Sequence, residues 1–164
     1  MEKKTKRIHI LALAVAAATL TLASHARAED PAAATTSEIQ RALGFVPTFI
    51  ARIPRALLPG WWDQTKALEM NPKSALSGKT KELLGLAVAA QIPCDECVLF
   101  HTEMARLNGA SDQEIQEAIG MAALTRFGST LIHGLQIDRD AYRQDVSRLV
   151  KNAREAARKE ASRK

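Results

Sequence analysis

The chain contains two cysteines, Cys94 and Cys97, and a histidine, His101, follows the second by four residues. At 100° per residue these three side chains fall within about 60° of one another on a helix, with His101 one turn beyond Cys97. This spacing suits thiol redox chemistry. A thiol is only slightly ionised at neutral pH, and the thiolate is the nucleophile. An imidazole with a pKa of about 6.5 accepts that proton at working pH. A second thiol three residues away captures an oxidised sulfur as a disulfide before it oxidises further.

Asp95 and Glu96 lie between the cysteines and oppose a thiolate. A carboxylate about 6 Å away in water costs about 0.7 kcal/mol. A helix N-terminus returns about 0.3–1 kcal/mol, so spacing alone does not say which thiol is the more acidic. The same residues also fit a structural disulfide, three ligands of a zinc site with a distant fourth, or a disulfide beside an uninvolved surface histidine.

Helices must carry this stripe. Only 4% of the residues are aromatic while alanine and leucine recur, which favours helix over strand. The expected fold is an all-α helical bundle. Ser37-Glu38-Ile39-Gln40 reads as a capping box opening a short helix that Gly44 ends, after a flexible lead over 29–36. Pro47, Pro54 and Pro59 should break the next region into short pieces, with Trp61 and Trp62 leading into a helix that ends near Asn71-Pro72. Ser77 should cap a helix to about Gln91, apolar nearly all round and central to the core. Pro93 should separate it from the cysteine helix, which Asn108-Gly109 ends. Ser111 to Glu114 is a second capping box, Gly128 should interrupt the helix it opens, and a last long helix should carry Leu131, Leu135, Ile137, Tyr142, Val146, Leu149 and Val150.

Residues 1–28 read as a cleaved signal peptide. Lys3, Lys4, Lys6 and Arg7 precede an uncharged apolar run over Ile10 to Ala23, and Ala26-Arg27-Ala28 supplies small residues for cleavage. An uncleaved anchor is the alternative, but the run is short for a spanning helix. Removing 28 of the 164 residues takes away five basic residues and one acid, so a formal charge of +5 falls to about +1. The basic balance is then no argument for nucleic-acid binding. The folded domain is placed at 37–150 and a basic helical tail at 151–164, where the solvated reading is favoured over a polyanion-binding arm. Periplasmic or secreted location follows, with no stable membrane anchor after cleavage.

Glu82, eleven residues, then Cys94-x-x-Cys97-x-x-x-His101 resembles the alkylhydroperoxidase D-like branch of the carboxymuconolactone decarboxylase family. Lys81-Glu82-Leu83 and Asn108-Gly109-Ala110-Ser111-Asp112-Gln113-Glu114-Ile115 resemble the family's flanking text, and the likeness is good over Lys79 to Thr130. The resemblance implies about six to eight helices and a peroxidase in which Cys97 reacts with a hydroperoxide and Cys94 closes the disulfide. His101 and Glu82 would form the proton relay, the glutamate acting through water. It also implies a homotrimer or homohexamer, no metal or organic cofactor, and an external dithiol reductant. The best-known peroxidase members have a histidine where this chain has Glu96, which bears on peroxidase rate. The family's decarboxylases lack the cysteine pair, so lactone decarboxylation is disfavoured. A disulfide-exchange protein and a non-catalytic helical oligomer are the competing functions. His133 reads as structural or as a late contributor to the site, and Trp61 and Trp62 as core or interface residues, with a substrate entrance as the alternative.

Overall fold

The computed structural model describes residues 30–92 and 94–163, and the expected signal peptide and Pro93 lie outside them. Seven helices and no strand occur among the described residues. The chain divides after Leu68 into two units.

The first unit holds α1 (Pro31–Leu43), α2 (Thr48–Ala51) and α3 (Leu58–Leu68). Helix α1 starts six residues before the expected capping box, within the stretch read as a flexible lead. Asp30 accepts from the Ala32 amide at 3.0 Å, and Pro31 occupies the first helical position, where its missing N–H costs nothing. The hydroxyls of Thr35, Thr36 and Ser37 return to carbonyls one turn earlier, so Ser37 lies within the helix. Gly44, at φ 80°, ends the helix as expected. Helix α3 already contains Trp61 and Trp62 and stops at Leu68, while Pro59 sits in its first turn, where proline is tolerated. Ile39, Ile50, Leu58 and Trp62 form the core of this unit, with Trp61 packed on it.

The second unit holds α4 (Gly78–Ala89), α5 (Asp95–Leu107), α6 (Asp112–Gly134) and α7 (Arg139–Ala161). Ser77 caps α4 through the Thr80 amide, and Ser111 and Glu114 form the expected capping box of α6. Leu86, Ala105 and Ile115 bring α4, α5 and α6 to one core, against which Leu83, Val98 and Ala110 pack. Lys79 reaches Glu114 at 2.7 Å, fixing the start of α4 to the start of α6.

Helix α4 is less central than its composition suggests. Its buried residues are Glu82, Leu86 and Ala89, while Leu84 and Val88 are exposed. Gly128 does not interrupt α6, because one glycine inside a long helix costs only about 1 kcal/mol. The break comes at Leu135–Asp138 instead, so Leu131 belongs to α6 and Tyr142 to α7. Gln136 takes φ 49°, its N–H reaches the His133 carbonyl, and the Ile137 N–H reaches the Ile132 carbonyl. These bonds make a Schellman stop with glutamine in the left-handed position. Asp138 then caps α7 through Asp140 and Ala141, and α7 runs past residue 150 with no boundary there.

Candidate active site

The site is built on α4 and α5. Cys94 is the N-cap of α5, and its Sγ accepts from the Cys97 amide at 3.3 Å. The two sulfurs are at disulfide bonding distance, with Cα atoms 5.3 Å apart. Both cysteines are partly buried, and Asp95 and Glu96, the intervening first-turn residues, are exposed. Exposure weakens the opposition these carboxylates offer to a thiolate, since water screens them. The same first turn directs amide groups at Cys94.

One turn further along α5, His101 Nδ1 lies 2.8 Å from Glu82 Oε2 on α4. The contact between the two side chains is direct. The Glu82 side chain is 7% exposed and that of His101 is 21% exposed. A buried carboxylate requires a hydrogen-bonding partner, and His101 supplies it. With Glu82 ionised, Nδ1 carries the proton and donates, which leaves Nε2 as the free acceptor of the ring. Phe100 meets the imidazole edge-on, the ring centroids 5.2 Å apart.

Gly85 makes this contact possible. It lies one turn beyond Glu82, and a Cβ built on it would fall 2.5–2.8 Å from three atoms of the His101 ring. The imidazole therefore lies against bare α4 backbone, at a distance no other residue type permits. Nothing in the sequence marked Gly85. Its role arises only when α5 is laid on α4.

Glu69, the first residue of the second unit and nine residues before α4, adds a further carboxylate in the field of the pair. Desolvation and then the charge of Glu82 push its carboxyl above the ordinary value, opposed by His101 and Lys81. Lys81 Nζ is 3.4 Å from the Glu69 carbonyl and 3.5 Å from that of Asn71, holding this segment to α4. The sequence reading missed Glu69, which has no motif spacing to find it.

The structure thus unites Glu82 with His101 and Cys94 with Cys97. The two pairs sit one turn apart on α5, and among the described residues no hydrogen bond joins His101 to either sulfur. His133 lies elsewhere, in an open groove with Gln136, Arg139 and Tyr142 at the α6–α7 connection. Arg126 bonds Gln91 Oε1 at 2.7 Å, tying α6 to the segment that precedes Cys94.

The carboxymuconolactone decarboxylase family model matches residues 56–140, slightly more than half of the 164. The chain belongs to the carboxymuconolactone decarboxylase family. The alkylhydroperoxidase AhpD core of Rhodospirillum rubrum has the same fold: TM-score 0.59 and 26% identity, over 68% of this chain and 85% of that one. Uncharacterized protein 4 in the cox locus of Paracoccus denitrificans is 41% identical over 59 residues, 36% of this chain. An uncharacterised protein of Cupriavidus necator is 38% identical over 47 residues, 29% of this chain. The chain covers 53% and 42% of the lengths of these two relatives. The matched residues 56–140 include the cysteine pair, Glu82 and His101.

Proposed function

We propose that the protein is an exported thiol peroxidase, with the pair of buried Glu82 and partly buried His101, one turn from the Cys94–Cys97 disulfide, as the observation that carries the reading. In the reduced protein His101 Nε2 takes the Cys97 proton, while Glu82 holds the opposite ring nitrogen and offsets the charge the imidazole gains. The Cys97 thiolate attacks one peroxide oxygen, the O–O bond breaks, and the alkoxide leaves with the proton from His101 as an alcohol. The Cys97 sulfenic acid is then attacked by Cys94, which forms the disulfide and releases water. Two electrons and two protons from an external dithiol restore both thiols. The likeness to the alkylhydroperoxidase AhpD core supports peroxide as the oxidant. Export rests on the first 28 residues, and periplasmic or secreted location goes with it. Assembly as a homotrimer or homohexamer belongs to the same reading.

The test mixes fully reduced protein with a hydroperoxide and titrates the remaining thiols. Loss of two thiols per peroxide consumed is expected, and intact thiols after prolonged exposure end the proposal.

A second reading, dithiol–disulfide exchange with another envelope protein, is favoured by one observation. Cys94, not Cys97, occupies the α5 N-cap and accepts an amide hydrogen bond, a setting that stabilises a Cys94 thiolate. It predicts that a Cys97→Ser variant traps mixed disulfides through Cys94 and that the wild type spares peroxide.

A further inference from the structure

Helix α6 has two apolar faces. Ile115 and Ala122 pack into the core of the second unit. Met121, Leu124, Phe127 and Leu131 lie roughly opposite them on the helical wheel and are all exposed, Phe127 by 63%. A helix that is apolar on both sides is stable when both are covered.

Helix α7 has the complementary deficiency. Tyr142, Val146, Leu149, Val150, Ala153 and Ala157 fall within about 100° of one another on its 23 residues. Every residue of α7 is nevertheless exposed, and no helix of its own unit packs along it. The connection between the two helices is closed by the Schellman stop at Gln136 and the Asp138 cap.

Charge separates the same two parts. From Glu69 to Asp138 there are nine acidic residues against five basic, and from Arg139 to Lys164 nine basic against four acidic. The two large-residue stripes also match in length, at about 15 Å from Met121 to Leu131 and about 12 Å from Tyr142 to Val150. Past Val150 the α7 stripe thins to alanine, which allows a neighbouring helix to approach closely but offers little area to an acyl layer.

We propose that α7 of one copy lies along the outer face of α6 of the next copy, head to tail around a closed ring of subunits. The interface deepens the assembly part of the proposed function by naming its surfaces, and it is independent of the thiol chemistry. It joins an acidic body to a basic arm and covers both stripes at once. The arm lies almost wholly beyond residue 140, where the family match ends.

The test uses light scattering on the purified protein across a concentration series, with Leu131→Asp on the α6 face and Leu149→Asp on the α7 face. Both side chains are exposed in the single chain, at 45% and 67%, so helicity and thermal transition of the dilute variants should match the dilute wild type. Wild type should self-associate, and each variant should weaken association by about a hundredfold or more, as expected for a charge placed in an apolar contact. An equimolar mixture should associate again, because one intact α7 meets one intact α6. Leu131→Ser and Leu149→Ser serve as milder replacements if either aspartate variant fails to fold. A monomeric wild type overturns both the interface and the assembly it deepens. Self-association that survives the variants, or a mixture that stays monomeric, overturns the interface alone. Monomeric wild type floating with anionic phospholipid vesicles would assign α7 to a membrane surface instead. Peroxide consumption on the same samples reports the thiol chemistry separately.

Discussion

Helices α5 and α7 belong to the same unit and differ in almost every respect that matters for function. The shorter, of 13 residues, buries Ala105, packs on α4 and presents Cys97, its amide bonded to Cys94 Sγ, and His101 at defined distances. The longer, of 23 residues, buries nothing in the single chain. Both are well capped, so the difference lies in what the outward side chains meet. Capping and periodicity make a helix; a partner surface makes a site.

Glu82→Gln probes the packed region most severely. The amide keeps the shape but supplies no negative charge to the imidazole, and the rate of Cys97 oxidation by peroxide should fall about 10²- to 10⁴-fold. Stopped-flow thiol oxidation reads this, and an unchanged rate would show that the Glu82–His101 pair is only structural. Leu86→Ala against Leu149→Ala tests the contrast in stability. Leu86 is fully buried and its truncation should cost about 2–5 kcal/mol in urea unfolding. At dilutions where the protein is monomeric, Leu149→Ala should stay within about 0.5 kcal/mol of wild type. Equal losses would erase the distinction between the helices.

Gly85→Ala sharpens it. Alanine favours a helix interior by about 0.5–1 kcal/mol, so the thermal transition should hold or rise. The added methyl drives the His101 ring off Glu82, so thiol oxidation should slow by about tenfold and its pH profile should move. A rate and profile like those of wild type would mean that the ring finds room without leaving its carboxylate. At the α6–α7 connection, Gln136→Gly relieves a left-handed backbone and should add about 1 kcal/mol without touching the thiol rate.

The smallest effect concerns acid. Lys79 first, then the Ser111 amide, hold the Glu114 carboxyl below its ordinary value of 4.5. That contribution is fully present above 4.5 and is lost as pH falls through the lowered value. Lys79→Met should therefore lower the melting temperature slightly at pH 7 and converge on wild type near about pH 3. Glu69 has the opposite sign: its raised carboxyl makes ionisation unfavourable to the fold, so Glu69→Gln should remove a loss of stability that develops as pH rises through that value.

The all-helical class, the Ser77 cap, the Ser111 capping box and the Gly109 stop were legible because each is a local device, spanning a turn or two. The family likeness was legible from one spaced motif, and residues 56–140 carry it. The start of α1 was misread because Ser37 and Glu38 imitate a capping box that Asp30 and Pro31 pre-empt upstream. The end of α6 was misread because glutamine, not glycine, takes the left-handed position, while Gly128 stays helical.

The sequence by itself determined that Cys97 and His101 share one stripe, since 3.6 residues per turn fixes angular position within any helix, whereas Cys94, at the N-cap with φ −139°, lies outside that period. Only the tertiary structure decided that Glu82 meets His101 at 2.8 Å over the bare backbone of Gly85, and that Leu84, Phe127 and Leu149 remain uncovered. The physical reason is that contacts between helices depend on how side chains interdigitate and on what lies across from them, and a period read along one chain carries neither.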